Sequence, residues 1–124
     1  MSIPILKQGD TLIVTIQEAL SDQDLLHLRD ELAARVGKLR IRGVVIDVTA
    51  LDVLDSFATR TIKGIVDTSK LRGANAVVVG IQPEVAFSMV QLGLTLDTVA
   101  TALDLDEGLA LLKKDRGGAF NNVR

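Results

Sequence analysis

Two short and nearly continuous runs of aliphatic, mostly β-branched residues constrain the fold of this chain most strongly. The first run covers residues 44–48 (VVIDV), and the second covers residues 76–81 (AVVVGI). Strands that are buried on both faces have this composition, whereas a strand with one face in water alternates apolar and polar residues. The two runs therefore predict strands of a parallel sheet, which must be covered by helices.

The remaining patterns place strands and helices in alternation. Two apolar runs flank residues 8–10 (QGD), and a Gly-Asp pair between such runs indicates a β-hairpin. Segments in which apolar residues recur every three or four positions indicate helices. The predicted order is β-β-α-β-α-β-α-β-α, an α/β fold with a mixed, mostly parallel sheet and helices packed mainly on one face. The predicted strands are 3–7, 11–16, 44–48, 76–81 and 99–102, and the predicted helices are 22–36, 57–71, 83–92 and one from about residue 104.

Several residues mark the expected ends of these helices. Ser21 is a good N-cap for the first helix, and Asp24 three residues later fits a capping box. Gly37 is expected at the left-handed position that ends this helix. Ser56 directly precedes the second helical pattern and is expected to cap it. Pro83 suits the first position of the third helix.

Composition excludes several function classes. The chain has 124 residues, no Cys, one His, and three Phe as its only aromatic side chains. The lack of Cys rules out disulfides and thiolate metal sites. A net charge of −2 and so few rings argue against nucleic-acid binding. The apolar runs are too short to cross a membrane and no signal peptide is evident, so we expect a cytoplasmic protein. We expect one domain over residues 1–114 and a flexible polar tail over residues 115–124.

Two serine-bearing segments are expected at the carboxyl ends of the strands, where function in such sheets tends to collect. The segment DVLDSF contains Ser56, and the segment PEVAFS contains Ser88. A helical wheel places Ser88 in solvent, opposite an apolar face that includes Val90 and Leu92. A helix cap alone would explain Ser56, and an ordinary surface position would explain Ser88.

A narrow stripe of small residues and one ring is expected on the second helix. It consists of Phe57, Thr61 and Gly64, which lie between the apolar face and the charged face of the helical wheel. Such a stripe is either a docking surface for a partner or an edge of the core.

Two groups of charged residues point less clearly to a function than the serine-bearing segments do. Asp52 and Asp55 could hold Mg²⁺ or act as an acid–base pair, but their spacing is common, and no phosphate-binding glycine motif is present. We therefore expect no catalytic residue, no metal site and no cofactor. The basic run at positions 35, 38, 40 and 42 contains no acid and lies at the opposite end of the sheet. It is a solvated surface or a contact for an acidic partner.

The segments GVVIDVTALDVLDS and AVVVGIQPEVAFSMVQLGL, together with the element order, resemble a STAS domain over residues 2–114. The resemblance is strongest to the small scaffold subunits of bacterial stressosomes. It implies phosphorylation of Ser56, which follows Asp55, and a second phosphorylation at Ser88. We also expect Asp55 and the stripe residues Phe57, Thr61 and Gly64 to contact the partner, because an exposed ring beside small residues is typical of a binding hot spot. The letters FATR after Ser56 depart from the Ser-Gly-Leu-Gly-like stretch of free anti-sigma-factor antagonists.

The resemblance implies a non-catalytic role. A protein of this kind sequesters a switch serine/threonine kinase, assembles with a sensor STAS subunit, and is reset by a dedicated phosphatase. The implied states are a homodimer and a large hetero-oligomer. Two other interpretations stay open: a free anti-sigma-factor antagonist that is regulated by serine phosphorylation, and a small Mg²⁺-dependent phosphatase or hydrolase that uses Asp52 or Asp55.

Overall fold

The computed structural model describes residues 3–17, 20–94, 96 and 98–121, with residues 115–121 described by their backbone. Its element order is the predicted one, so the α/β fold is confirmed. The strands are β1 Ile5–Gln8, β2 Thr11–Thr15, β3 Gly43–Asp47, β4 Asn75–Val79 and β5 Ala100–Ala102. The helices are α1 Asp22–Lys38, α2 Ser56–Leu71, α3 Pro83–Gln91 and α4 Leu105–Asn121.

The five strands form one mixed sheet in the order β1-β2-β3-β4-β5. The antiparallel β1–β2 hairpin pairs Gln8 with Thr11 across a two-residue turn, and the other neighbouring strands are parallel. Strands β2 to β5 therefore end at the same edge of the sheet, which we call the carboxyl edge. The helices run back along the sheet, so all of them begin at this edge.

Both faces of the central strands are buried, as the two aliphatic runs predict. On one face, alternate residues such as Val44 and Val78 pack against α1, α2 and α3. On the other face, Val45 and Val77 pack against Leu112 of α4. The prediction that the helices lie mainly on one face is confirmed, and the fourth helix covers the other face.

The first helix begins as predicted and ends differently. The Ser21 hydroxyl accepts from the Asp24 N–H at 3.1 Å, and the Ser21 N–H donates to the Asp24 carboxylate at 3.0 Å. This backbone hydrogen bond lowers the pKa of Asp24. The prediction for Gly37 is wrong, because α1 continues to Lys38 and the left-handed residue is Arg40, with a φ of 54°. The Ile41 N–H then closes the helix end on the carbonyl of residue 36 at 3.0 Å.

The last helix also differs from the prediction in its extent. Its start is held by the predicted pair, since the Glu107 N–H donates to the Asp104 carboxylate at 2.9 Å. The helix continues to Asn121, through most of the segment 115–124 that the sequence assigns to a tail. The flexibility of that segment stays a prediction, and residues 122–124 lie outside the described part of the chain.

Candidate functional site

A groove at the carboxyl edge brings both candidate serines together. It has a volume of about 480 Å³. Its lining residues come from the β3–α2 loop, the start of α2 and the end of α3: Asp52, Val53, Leu54, Asp55, Ser56, Ser88, Leu92 and Leu94. The expectation that the two serines lie toward the same end of the sheet is therefore confirmed.

Ser56 occupies the first turn of α2 and does not cap it. The cap is Asp55, whose carboxylate accepts from the Ala58 N–H at 2.8 Å. The prediction that Ser56 is the N-cap is therefore wrong by one residue, because Asp and Ser are equally good caps and stand side by side here. As a result, the exposed Ser56 hydroxyl makes no side-chain hydrogen bond within the described part of the chain. It is chemically available beside the free N–H groups of a helix N-terminus.

Ser88 has a different local environment. It lies inside α3, where its carbonyl accepts from the Leu92 N–H, and it is exposed as predicted. Glu84 lies one turn earlier on the same helix and is exposed too. The backbone N–H groups around Ser88 belong to the helix interior, so a negative group attached there meets a carboxylate and no free amide.

The predicted docking stripe on α2 does not form a continuous exposed surface. Thr61 is only 8% exposed, and its hydroxyl donates to the Phe57 carbonyl at 2.9 Å. Phe57 is half-buried against the core, and Gly64 is half-buried with open space beside its Cα. Thr61 therefore lies at the edge of the core, because α2 packs on both α1 and β4 and buries a wider arc than the wheel assigns. A contact of this stripe with a partner stays a prediction.

The exposed apolar residues lie elsewhere, around the groove. Val53 is 72% exposed and Leu92 is 69% exposed, and both line the groove. Phe87 and Val90 on α3 are exposed as well. Val90 and Leu92, which the helical wheel places on the apolar face, are not part of the core, because this nine-residue helix buries only Val85 and Met89. One signal for the groove was readable: Val53 is an apolar residue inside an acidic loop, where no helix or strand pattern requires it.

A short polar network joins the two segments that carry the serines. The Asp47 carboxylate accepts from the Thr49 hydroxyl at 2.6 Å and from the Thr49 N–H at 2.9 Å. The Gln82 side-chain amide donates to the Thr49 carbonyl at 2.6 Å. Gly80 has a φ of 82°, and a Cβ there would collide with the Thr49 hydroxyl. The β3–α2 loop and the start of α3 are thus held together, which fixes the relative positions of Ser56 and Ser88.

The charge of the groove is negative. Its titratable lining groups are Asp52 and Asp55, and no Lys, Arg or His lines it. Within the described part of the chain, no group of three or more His, Cys, Asp or Glu side chains is arranged to hold a metal ion. None of the described helices is long and apolar enough to span a bilayer. The groove therefore offers two exposed hydroxyl groups, an apolar wall and an acidic rim.

This sheet, its helices and the serine-bearing edge define a STAS domain. Residues 2–108 match the model of that family, and the chain belongs to it. The chain is similar to a serine-to-glutamate variant of RsbS from Moorella thermoacetica, with 39% identity and a TM-score of 0.81 over 93% of this chain and 97% of that one. It is also similar to a chain of the stressosome structure, with 41% identity and a TM-score of 0.77 over 90% and 96% of the two chains.

Curated relatives come from Bacillus subtilis (strain 168). The RsbT co-antagonist protein RsbRA is 34% identical over 91 residues, which are 72% of this chain and 33% of that protein. The RsbT co-antagonist protein RsbRD is 31% identical over 72 residues, which are 58% of this chain and 26% of that protein. The chain thus spans a third or less of the length of these two relatives.

Proposed function

We propose that this protein is a non-catalytic scaffold of a stressosome-type assembly, which sequesters a switch serine/threonine kinase and releases it after phosphorylation on serine. The observation that carries this proposal is the groove, because Ser56, Ser88 and exposed apolar side chains line it together. The similarity to RsbS over nearly the full length of both chains supports a subunit of the same kind. Such a protein acts in the cytoplasm.

The groove suits a contact that a phosphate abolishes. A partner that places apolar side chains against Val53 and Leu92 buries surface that is otherwise in water, which favours binding. Phosphorylation of Ser56 adds about 1.5 to 2 negative charges between these side chains and the carboxylates of Asp52 and Asp55. The new charge must stay hydrated and repels both carboxylates, so it opposes closure of the contact. The phosphate also faces the free N–H groups at the start of α2, so the domain itself tolerates it.

Ser88 acts as a second and slower acceptor. A phosphate at this position lacks free N–H groups and lies one turn from Glu84, so it is less stabilised than a phosphate on Ser56. It adds charge to the same groove, which makes the response graded. Phosphorylation of Ser88 before Ser56 in time-resolved phosphosite mapping would contradict this order.

The remaining partners follow from the same proposal. An RsbR-like sensor STAS subunit co-assembles with this protein, and a dedicated phosphatase restores the unmodified serines. The kinase is RsbT-like, in keeping with the names of the curated relatives. The assembly is a large hetero-oligomer that contains a homodimer of this chain.

Reconstitution with the kinase and the sensor subunit tests the proposal. The unmodified protein should retain the kinase in a large particle on size-exclusion chromatography, and addition of ATP should release it. Ser56→Ala should retain the kinase after ATP is added. The matched control is Ser21→Ala, an exposed serine at the start of another helix on the same edge. If Ser56→Ala released the kinase as fast as the unmodified protein does, Ser56 would be excluded as the switch. Capture of an anti-sigma factor instead of the kinase would identify a free antagonist.

A further inference from the structure

The basic run at positions 35, 38, 40 and 42 has no part in the groove, because it lies at the opposite end of the sheet. Arg35 forms an ion pair with Glu31 of the same helix at 2.8 Å, which accounts for its charge. Arg40 and Arg42 lie beyond the end of α1 and share a cavity with Arg72, the residue that follows α2. Two segments that are remote in sequence thus place three guanidinium groups around one space.

This space, which we call the basic cavity, has a volume of about 590 Å³. Its lining includes the exposed Arg40, Arg42 and Arg72 and the buried Val36 and Ile41, and no described Asp or Glu lines it. None of the three arginines forms an ion pair with a carboxylate within the described ranges of the chain. A guanidinium group binds a carboxylate through two parallel hydrogen bonds, so three unpaired ones around a concave surface favour an anionic partner.

The charge at this end stays positive when its negative contributors are included. Asp10 of the β1–β2 turn lies here, where its carbonyl accepts from the N–H groups of residues 42 and 43 at 2.8 and 3.3 Å, but it does not line the basic cavity. The C-termini of α1 and α2 add about −0.5 charge each. The cations in the last turns and in the segments that follow them are Lys38, Arg40, Arg42, Lys70 and Arg72. They outnumber these negative charges, so the basic cavity has a positive potential.

Two residues at the end of α1 suit the basic cavity better than they suit the helix. Arg40 has a left-handed conformation, in which Gly or Asn is usual. Gly37 lies in the last turn, where Ala would be the better helix former. A Cβ at Gly37 would collide with the Arg72 guanidinium, so Gly37 leaves the space for that group. Both residues contribute to the arrangement of arginines at a cost to the helix.

Exposed apolar side chains accompany the arginines. Leu71, which directly precedes Arg72, is 89% exposed, and Leu39, which directly precedes Arg40, is exposed as well. A small inorganic anion would leave both leucines in water. A protein segment can cover them while its carboxylates reach the arginines, and interfaces combine apolar and polar contacts in this way. The surroundings of the basic cavity therefore favour a protein segment over a small ion.

We propose that the basic cavity binds an acidic segment of a second protein. Carboxylates of this segment meet Arg40, Arg42 and Arg72, and an apolar side chain of the segment covers Leu71. Clusters of arginine are a common means of recognising acidic motifs, and complementary charge selects the partner and speeds its association. This contact is additional to the kinase contact in the groove and uses the other end of the domain.

The basic cavity and the groove can be occupied at the same time. Helix α2 has 16 residues and separates Ser56 from Arg72, which at a rise of about 1.5 Å per residue is a distance of about 24 Å. The screening length is only about 10 Å at about 0.1 M salt. A phosphate on Ser56 therefore has little effect at the basic cavity, and a partner that is held there stays bound when the groove releases the kinase.

Fluorescence anisotropy with a labelled peptide tests the proposal on the full chain, without kinase or ATP. The probe is a peptide of about twelve residues with equal numbers of Glu, Leu and Gly, and the reference peptide has Gln in place of Glu. The Glu peptide should bind more tightly, and its affinity should fall between about 0.1 M and about 1 M salt, where the screening length shortens from about 10 Å to about 3 Å. Arg42→Gln/Arg72→Gln should weaken its binding about tenfold, which corresponds to about 1.4 kcal/mol shared by two exposed ion pairs.

Two further variants separate a built site from a general effect of charge. Arg60→Gln/Lys63→Gln removes the same charge from α2 outside the basic cavity and should bind the Glu peptide like the unmodified protein. Gly37→Ala keeps every charge and should still weaken binding, because its Cβ displaces the Arg72 guanidinium. Circular dichroism checks that each variant is folded.

Three results would overturn the proposal. They are equal affinity for the Glu and Gln peptides, unchanged binding to either variant of the basic cavity, and displacement of the Glu peptide by an equal concentration of inorganic pyrophosphate, which would identify a site for compact anions. Each of them leaves the kinase-sequestration proposal standing, because the groove takes no part in these measurements.

Discussion

The assignment of the α2 cap to Asp55 leads to a test on two adjacent residues. Asp55→Ala removes the acceptor of the Ala58 N–H, and loss of an N-cap costs about 1 kcal/mol of the free energy of unfolding, within a range of about 0.5–2 kcal/mol. For a domain of 124 residues this is a fall of about 3–6 °C in melting temperature. Ser56→Ala removes an exposed hydroxyl that caps nothing, so the free energy of unfolding should change by less than about 0.5 kcal/mol.

Urea unfolding followed by circular dichroism measures both variants. Asp55→Asn is the matched control, because Asn caps as well as Asp and lacks the charge, so it should retain most of the stability that Asp55→Ala loses. A loss for Ser56→Ala as large as that for Asp55→Ala would refute the assignment of the cap. A neutral Asp55→Ala would refute it too. If Ser56→Ala is as stable as the unmodified protein, any effect of this variant in the phosphorylation experiment cannot come from a loss of stability.

Three further changes have defined outcomes. Gly80→Ala should lower the free energy of unfolding by at least about 1–2 kcal/mol, because Ala is strained at a φ of 82° and its Cβ would also collide with the Thr49 hydroxyl; an unchanged urea midpoint would contradict this. Phe57→Ala should cost less than the about 3–5 kcal/mol of a fully buried Phe, because Phe57 is half-buried; a variant that does not fold would show that it is a core residue. The hydrogen bond from Ser21 lowers the folded-state pKa of Asp24 from 3.8, so the stability it contributes is complete above that value and is lost as the pH falls through the lowered pKa. Asp24→Asn should therefore flatten the stability profile below about pH 4 in acid-unfolding measurements, whereas an unchanged profile would exclude this carboxylate.

Most of the fold could be predicted because its signals are local. The aliphatic runs at residues 44–48 and 76–81 have few alternatives to buried parallel strands, and the Ser21–Asp24 pair is a local motif that needs no tertiary information. Helix ends were less predictable where two adjacent residues are both suitable N-caps. Asp55 and Ser56 are both good caps, and only the structure decides between them.

The groove was harder to predict because it depends on packing between elements. A helical wheel assigns Val90 and Leu92 to an apolar face from periodicity alone, but a short helix beside a three-residue strand has too little sheet beneath it to bury them. The wheel places Thr61 between the apolar and the charged face, and the structure shows that it is buried because α2 has neighbours on both flanks. Ser56 and Ser88 could be named from the sequence, whereas the apolar wall between them could not.

The sequential strand order has a consequence for synthesis of the chain on the ribosome. Each strand after β1 pairs with the strand that immediately precedes it, so the sheet can grow from β1 onward as the chain emerges. One face is covered as it grows, because α1, α2 and α3 are made between the strands that they cover. The other face, with Val45 and Val77, waits for α4, which is synthesised last. Until that helix emerges, the nascent domain presents a bare aliphatic surface, and this is the interval in which it is most exposed to aggregation and to chaperones.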